Sequence, residues 1–123
     1  MATGLLLSRL LPVQAGPYIP LTLFAEAAWY QQEKVPERSF EGVLSRQAGP
    51  MATAGRWNPV QLISAEPGGK PPIRRAVYLG GNPTRLDHLI GRRVRIEGKW
   101  VPVLKDRELW PARITALSDG NRP

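Results

Sequence analysis

The chain is 123 residues long, which is room for one hydrophobic core and argues against a second independent domain. It contains no cysteine, so disulfides, thiolate metal ligands and a cysteine nucleophile are excluded. Seventeen Lys and Arg stand against ten Asp and Glu, for a net charge of +7, and nearly all of the excess falls between residues 74 and 113. A polyanion or an anionic surface is therefore an admissible partner; the plainer reading makes these bases the solvated alternate positions of amphipathic strands. Thirteen Pro and twelve Gly without a period, set against 42% hydrophobic residues, predict a turn-rich all-β body rather than a disordered chain.

From Leu10 to Ala25 there is no charge, but Pro12, Gly16, Pro17 and Pro20 break the run, which is too interrupted for a membrane-spanning helix. The same stretch is a poor export signal, because the MATG start has no base and Arg9 splits the apolar segment; a truncated or mis-started signal is the alternative. Pro20 suits a first-turn position, and Leu21, Phe24, Ala25, Ala28 and Trp29 follow the spacing of one helical face, so a helix is expected over about 21–33. Leu23, Ala27 and Tyr30 widen its apolar surface. Three placements follow: between the body and a partner, in a membrane interface, or plugging the open end of its own domain. The first two make Leu21, Leu23, Phe24, Trp29 and Tyr30 the candidate partner-binding residues of an arm spanning 1–37.

The β body is expected over 38–117, followed by a tail at 118–123. SFEGVLSRQ alternates Phe40, Gly42 and Leu44 against Glu41, Val43 and Ser45, and Gly42 allows the strand to bend. AGPMATAGRW reads as a loop. NPVQLIS gives a second strand with Val60 and Leu62 on one face, AEPGGKPP a turn, and Arg75 to Leu79 a third strand. A short helix is expected next: Asn82 or Thr84 caps it, Thr84 and Asp87 have capping-box spacing, Leu86, Leu89 and Ile90 form its buried stripe, and Gly91 its exit. In the fourth strand Val94 and Ile96 point inward, Arg93, Arg95 and Glu97 outward, and Gly98 bends the chain before Trp100. Lys105-Asp106 makes a turn, and Trp110, Ala112, Ile114 and Ala116 give the last strand its inward face, with Pro111 at an edge or bulge.

Five strands, a helix between the third and fourth, a bent first strand and the run LDHLIGRRVRIEG into strand four resemble the OB-fold superfamily over residues 38–117. The resemblance implies a closed five-stranded barrel whose ligand face, by position, includes Trp57, Gln61, Arg75, Tyr78, Lys105 and Arg107. Arg92, Arg93, Arg95 and Lys99 form a separate candidate basic patch.

No catalytic residues, cofactor or metal site are expected. His88 is the only histidine, the serines lack a G-x-S-x-G elbow, and Gly68-Gly69-Lys70 lacks the spacing of a phosphate loop. The acids Asp87, Glu97, Asp106 and Glu108 are expected to pair with neighbouring bases. The expectation is a non-enzymatic accessory or stabilising subunit docking through its arm onto a larger complex, membrane-embedded or not, at a membrane surface or in a bacterial envelope rather than free in the cytoplasm. The alternatives are a single-stranded nucleic-acid binder, for which Trp57 and Tyr78 are the stacking platforms, and an exported envelope protein binding a small molecule or glycan.

Overall fold

The computed structural model describes residues 19–46, 52–53, 56–57, 60–82 and 84–117. The tail at 118–123 and the first eighteen residues lie outside them. The chain is mostly antiparallel β-sheet: β1 (Leu21–Thr22), α1 (Ala28–Gln32), β2 (Arg38–Arg46), β3 (Ala52–Thr53), β4 (Arg56–Trp57), β5 (Val60–Ser64), β6 (Ile73–Ala76), a 3-10 turn (Asp87–Leu89), β7 (Arg93–Val103) and β8 (Asp106–Ala116). Six strands form one sheet in the order β1-β8-β7-β2-β5-β6, while β3 and β4 make a small hairpin of their own.

The alternation of β2 does what period-two packing requires. Phe40 and Leu44 enter the core while Glu41 and Val43 stay outside. Residues 38–43 pair with β7 and residues 43–46 with β5, so β2 changes partner at Gly42 and Val43. A side chain at Gly42 would press into the backbone of Ile63, whose carbonyl carbon lies 2.8 Å from the ideal Cβ position. Only glycine lets β5 cross there.

The expected closed five-stranded cylinder is not formed. The sheet curls until β6 comes back to β8, but they meet at one parallel bridge, Val77 with Leu109, where the Tyr78 N–H donates to the Leu109 carbonyl at 2.9 Å. The helix expected between strands three and four is likewise a single 3-10 turn, too short for an α-helix because Ile90 is already extended. Its Leu86 and Leu89 are buried, and Asn82 Oδ1 accepts the N–H and hydroxyl of Thr84, so Asn82 rather than a Thr84–Asp87 box organises its start.

The helix expected over 21–33 is also corrected. Leu21 and Thr22 are a strand opposite Ile114 and Arg113, the N–H groups of Leu23 and Phe24 donate to the Ala112 and Pro111 carbonyls at 2.7 and 3.1 Å, and only residues 28–32 are helical. The unpaired edge of β8 wins over helical propensity, because each backbone group placed there gains a partner. The apolar spacing survives in another form: Leu23 packs on the core, Trp29 packs on Trp110 of β8, Phe24 on Tyr78, and the Tyr30 ring meets Lys99 of β7.

A second correction concerns β8. Glu97 faces Arg113 and Gly98 faces Pro111, so Ala112 has no opposite residue and the strand bulges. The bulge reverses the alternation. Leu109 and Ile114 enter the core, whereas Trp110, expected inside, turns outward. Gly98 sits across from the bulge, where a Cβ would collide with the Trp110 carbonyl and lie 3.1 Å from the Pro111 Cα.

Candidate functional site

The core is a contiguous set that includes Phe40, Leu44, Leu62, Val77, Ile96, Leu109 and Ile114, with Trp100 packed against its margin. In the ladder Arg75 stands opposite Leu62, so its side chain leaves β6 on the core face. It lies over two rings at once, 4.9 Å from the Phe40 centroid and 5.3 Å from the Trp100 centroid. Arg38, two residues before Phe40 on β2, lies 5.0 Å from the Phe40 ring. Two guanidiniums and two aromatic rings from β2, β6 and β7 thus form one surface beside the incompletely paired junction of β6 and β8.

The electrostatics of this surface are unbalanced. Neither Arg38 nor Arg75 makes an ion pair among the described residues, and Arg75 Nε is buried without a hydrogen-bond partner. Burial pushes the Arg75 pKa down, nearby Arg38 pushes it the same way, and Glu66 opposes them at longer range. A guanidinium stays charged under such pressure. An arriving carboxylate or phosphate would relieve the repulsion.

Several other cations are already engaged. Arg93 and Arg95 reach Glu41 at 3.5 and 3.1 Å, and Arg113 bridges Glu97 and Glu37 at 2.7 and 2.5 Å. Arg113 has its pKa raised chiefly by the hydrogen bond to Glu97. Glu41, Arg93, Arg95 and Glu97 line a groove of about 600 Å³ bordered by Pro20 and Thr115, and their charges cancel. Lys99 lies further along the same face of β7 as Arg93 and Arg95, but it is buried and donates to the carbonyls of Tyr30 and Glu33. Arg92, Arg93, Arg95 and Lys99 are therefore not one free patch: Arg92 is exposed, the next two are paired, and Lys99 holds the end of α1.

The residues expected on the ligand face are also dispersed. Gln61 is buried, Tyr78 is half-buried between Phe24 and Trp29, and Lys105 and Arg107 are exposed at the β7–β8 hairpin beside Leu104, which is 83% exposed at φ 53°. The Trp57 backbone pairs with Ala52, and its side chain lies outside the described residues. Of the five arm residues, Leu23, Phe24 and Tyr30 turn onto the body, while Leu21 and Trp29 stay more than a third exposed.

Sequence reasoning missed Arg38 and Phe40 as site residues. They sit in a strand that reads as ordinary alternation, and their meeting with Arg75 depends on the β2-β5-β6 order. The acids divide: Asp87 pairs with Arg46 and Glu97 with Arg113, Asp106 accepts the Arg107 N–H, and buried Glu108 accepts from Trp110 Nε1 at 3.0 Å. Among the described residues no group of three or more His, Cys, Asp or Glu is placed to hold a metal ion. No helix among them is long and apolar enough to cross a membrane. No protein-family model, curated protein or solved structure matches the chain.

Proposed function

We propose that this chain is a non-enzymatic binding module of OB-like build, an accessory or stabilising subunit that docks onto a larger protein complex through an anionic group of its partner. The strand order supports the OB-like reading: β2, β5 and β6 run as a meander, a single turn of helix precedes β7, and β8 returns parallel to β6. The observation that carries the functional reading is the pair of guanidiniums, Arg38 and Arg75, stacked on Phe40 and Trp100 without a carboxylate of their own. This moves the docking surface away from the arm, whose backbone is committed to β8. The exposed His88 on the 3-10 turn fits a binding role better than a catalytic one.

The test is recovery of a tagged chain from its source cells beside the Arg38→Gln/Arg75→Gln variant. A protein retained by the unaltered chain and lost from the variant supports the reading; equal recovery, or none from either, overturns it.

Single-stranded nucleic acid is the second reading, favoured by exposed Lys105 and Arg107 at the β7–β8 hairpin. Filter binding across a salt series checks it, since neutralising phosphates makes affinity fall steeply with salt. No retention at low salt removes it.

A further inference from the structure

The longest two strands, β7 and β8, are joined by a loop of two residues. Val103 pairs with Asp106, so Leu104 and Lys105 turn the chain, and Leu104 does so at φ 53°. Among the described residues it is the only non-glycine in the left-handed region. A hairpin with positive φ at the first loop position is best served by glycine, and asparagine tolerates that conformation better than leucine does. The Leu104 side chain is also 83% exposed. The tip therefore combines backbone strain with apolar surface in water, and neither stabilises the fold. A lone exposed leucine is common on protein surfaces; what marks this one is its surroundings.

The end of the sheet around Leu104 is cationic. Counting back four residues along each strand from the parallel bridge of Val77 with Leu109 reaches Ile73 and Lys105, so the start of β6 and the β5–β6 turn lie at the hairpin end. Lys70, Arg74, Lys105 and Arg107 are exposed there, and none of them makes an ion pair among the described residues. The acids at this end are Asp106, whose Oδ1 accepts the Arg107 N–H, and half-buried Glu66. Ile73 adds a second partly exposed apolar side chain. We infer that the β7–β8 hairpin tip docks on a membrane containing anionic phospholipid, with Leu104 entering the boundary between headgroups and acyl chains and Lys105 and Arg107 on the lipid phosphates. Charge complementarity supports this occupant, since each base near a negative leaflet favours binding and the buried leucine adds what charge alone does not supply. Single-stranded nucleic acid fits the bases but not the leucine. An aliphatic side chain gives a base no ring to stack on, and the aromatic residue of β7, Trp100, is packed against the core. The inference goes beyond the Arg38–Arg75 docking surface and does not depend on it.

The test is co-sedimentation of the full chain with vesicles of phosphatidylcholine alone and of phosphatidylcholine mixed with phosphatidylserine in equal parts. The expected result is binding to the mixed vesicles only, weakening as salt rises, with a loss of about tenfold in Leu104→Asn and in Lys105→Gln/Arg107→Gln. Asparagine suits the positive φ, so Leu104→Asn removes the apolar side chain without threatening the fold. A second measurement uses the absence of cysteine, which lets Leu104→Cys carry a single environment-sensitive dye. Its emission should shift to the blue on mixed vesicles, whereas the same dye at His88→Cys, on the exposed turn that precedes the other end of β7, should not respond. No binding to mixed vesicles at low salt, equal binding by Leu104→Asn, or equal shifts of both dyes would overturn the inference. So would an oligothymidine that binds more tightly than the mixed vesicles and is indifferent to Leu104→Asn, which would assign the bases to nucleic acid.

Discussion

Lys99 and Tyr30 are joined twice. The ammonium donates to the Tyr30 carbonyl at 2.7 Å and lies 4.5 Å from the centroid of the Tyr30 ring, with a second donation to the Glu33 carbonyl at 2.8 Å. A buried lysine thus adds a side-chain donor at the C-terminal end of α1, where the Glu33 N–H also donates to the Tyr30 carbonyl and the last turn holds no basic residue. Lys99→Met keeps the stem's bulk and leaves both carbonyls without this donor. The expected loss is about 1–3 kcal/mol in urea unfolding, with the fold retained by circular dichroism.

Tyr30 also sets a pH limit. Its hydroxyl donates to Glu37 Oε1 at 2.8 Å, and burial first, then that hydrogen bond, push its pKa above the usual tyrosine value of 10.0. The folded protein therefore holds the phenolic proton more tightly than the unfolded chain. The resulting stability is fully present below about pH 10 and is lost as pH rises from there toward the folded value. Comparing the unfolding free energies of the unaltered chain and Tyr30→Phe between pH 7 and 11 checks this. The advantage of the tyrosine, about 1 kcal/mol or more at pH 7, should shrink above pH 10; a constant difference would contradict it.

Gly42→Ala and Gly98→Ala should each destabilise by about 2 kcal/mol or more, because the added methyl meets rigid backbone rather than a side chain that can rotate away. Gly81→Ala is the control: nothing lies within 4 Å of its Cβ position, and its unfolding midpoint should stay near that of the unaltered chain.

Removal of residues 1–33 takes away the backbone partners of Ala112 and Pro111, the acceptors of Lys99, and the Leu23, Phe24 and Tyr30 side chains. Burying three such side chains contributes roughly 4 kcal/mol or more, out of a total of about 5–15 kcal/mol for an ordinary domain. The truncated chain should lose cooperative thermal unfolding. A sharp transition at an unchanged midpoint would show that the arm is dispensable to the fold.

The sequence was legible where alternation was uninterrupted. Phe40 and Leu44, Val60 and Leu62, and Val94 and Ile96 are all buried as their spacing requires, and Gly42 marks the bend. Legibility failed where a long-range partner overrode a local pattern. The helical spacing of Leu21, Phe24 and Trp29 is equally satisfied by a strand, a turn and a short helix that wrap one edge of the sheet. The Ala112 bulge moved Trp110 out of the core, and no local residue pattern sets which side of a bulge a tryptophan takes. The Arg38–Arg75 surface was hidden for the same reason, since its parts come from β2, β6 and β7 and meet only once the sheet has curled.

The pairing of Leu21 with Ile114 has a consequence for biosynthesis. The strand that shelters the early segment is the last one of the sheet to leave the ribosome, so Leu23, Phe24 and Trp29 travel through translation with nothing to cover them. Contacts this distant in sequence form late and slowly. The nascent polypeptide therefore exposes a sticky stretch until β8 has emerged.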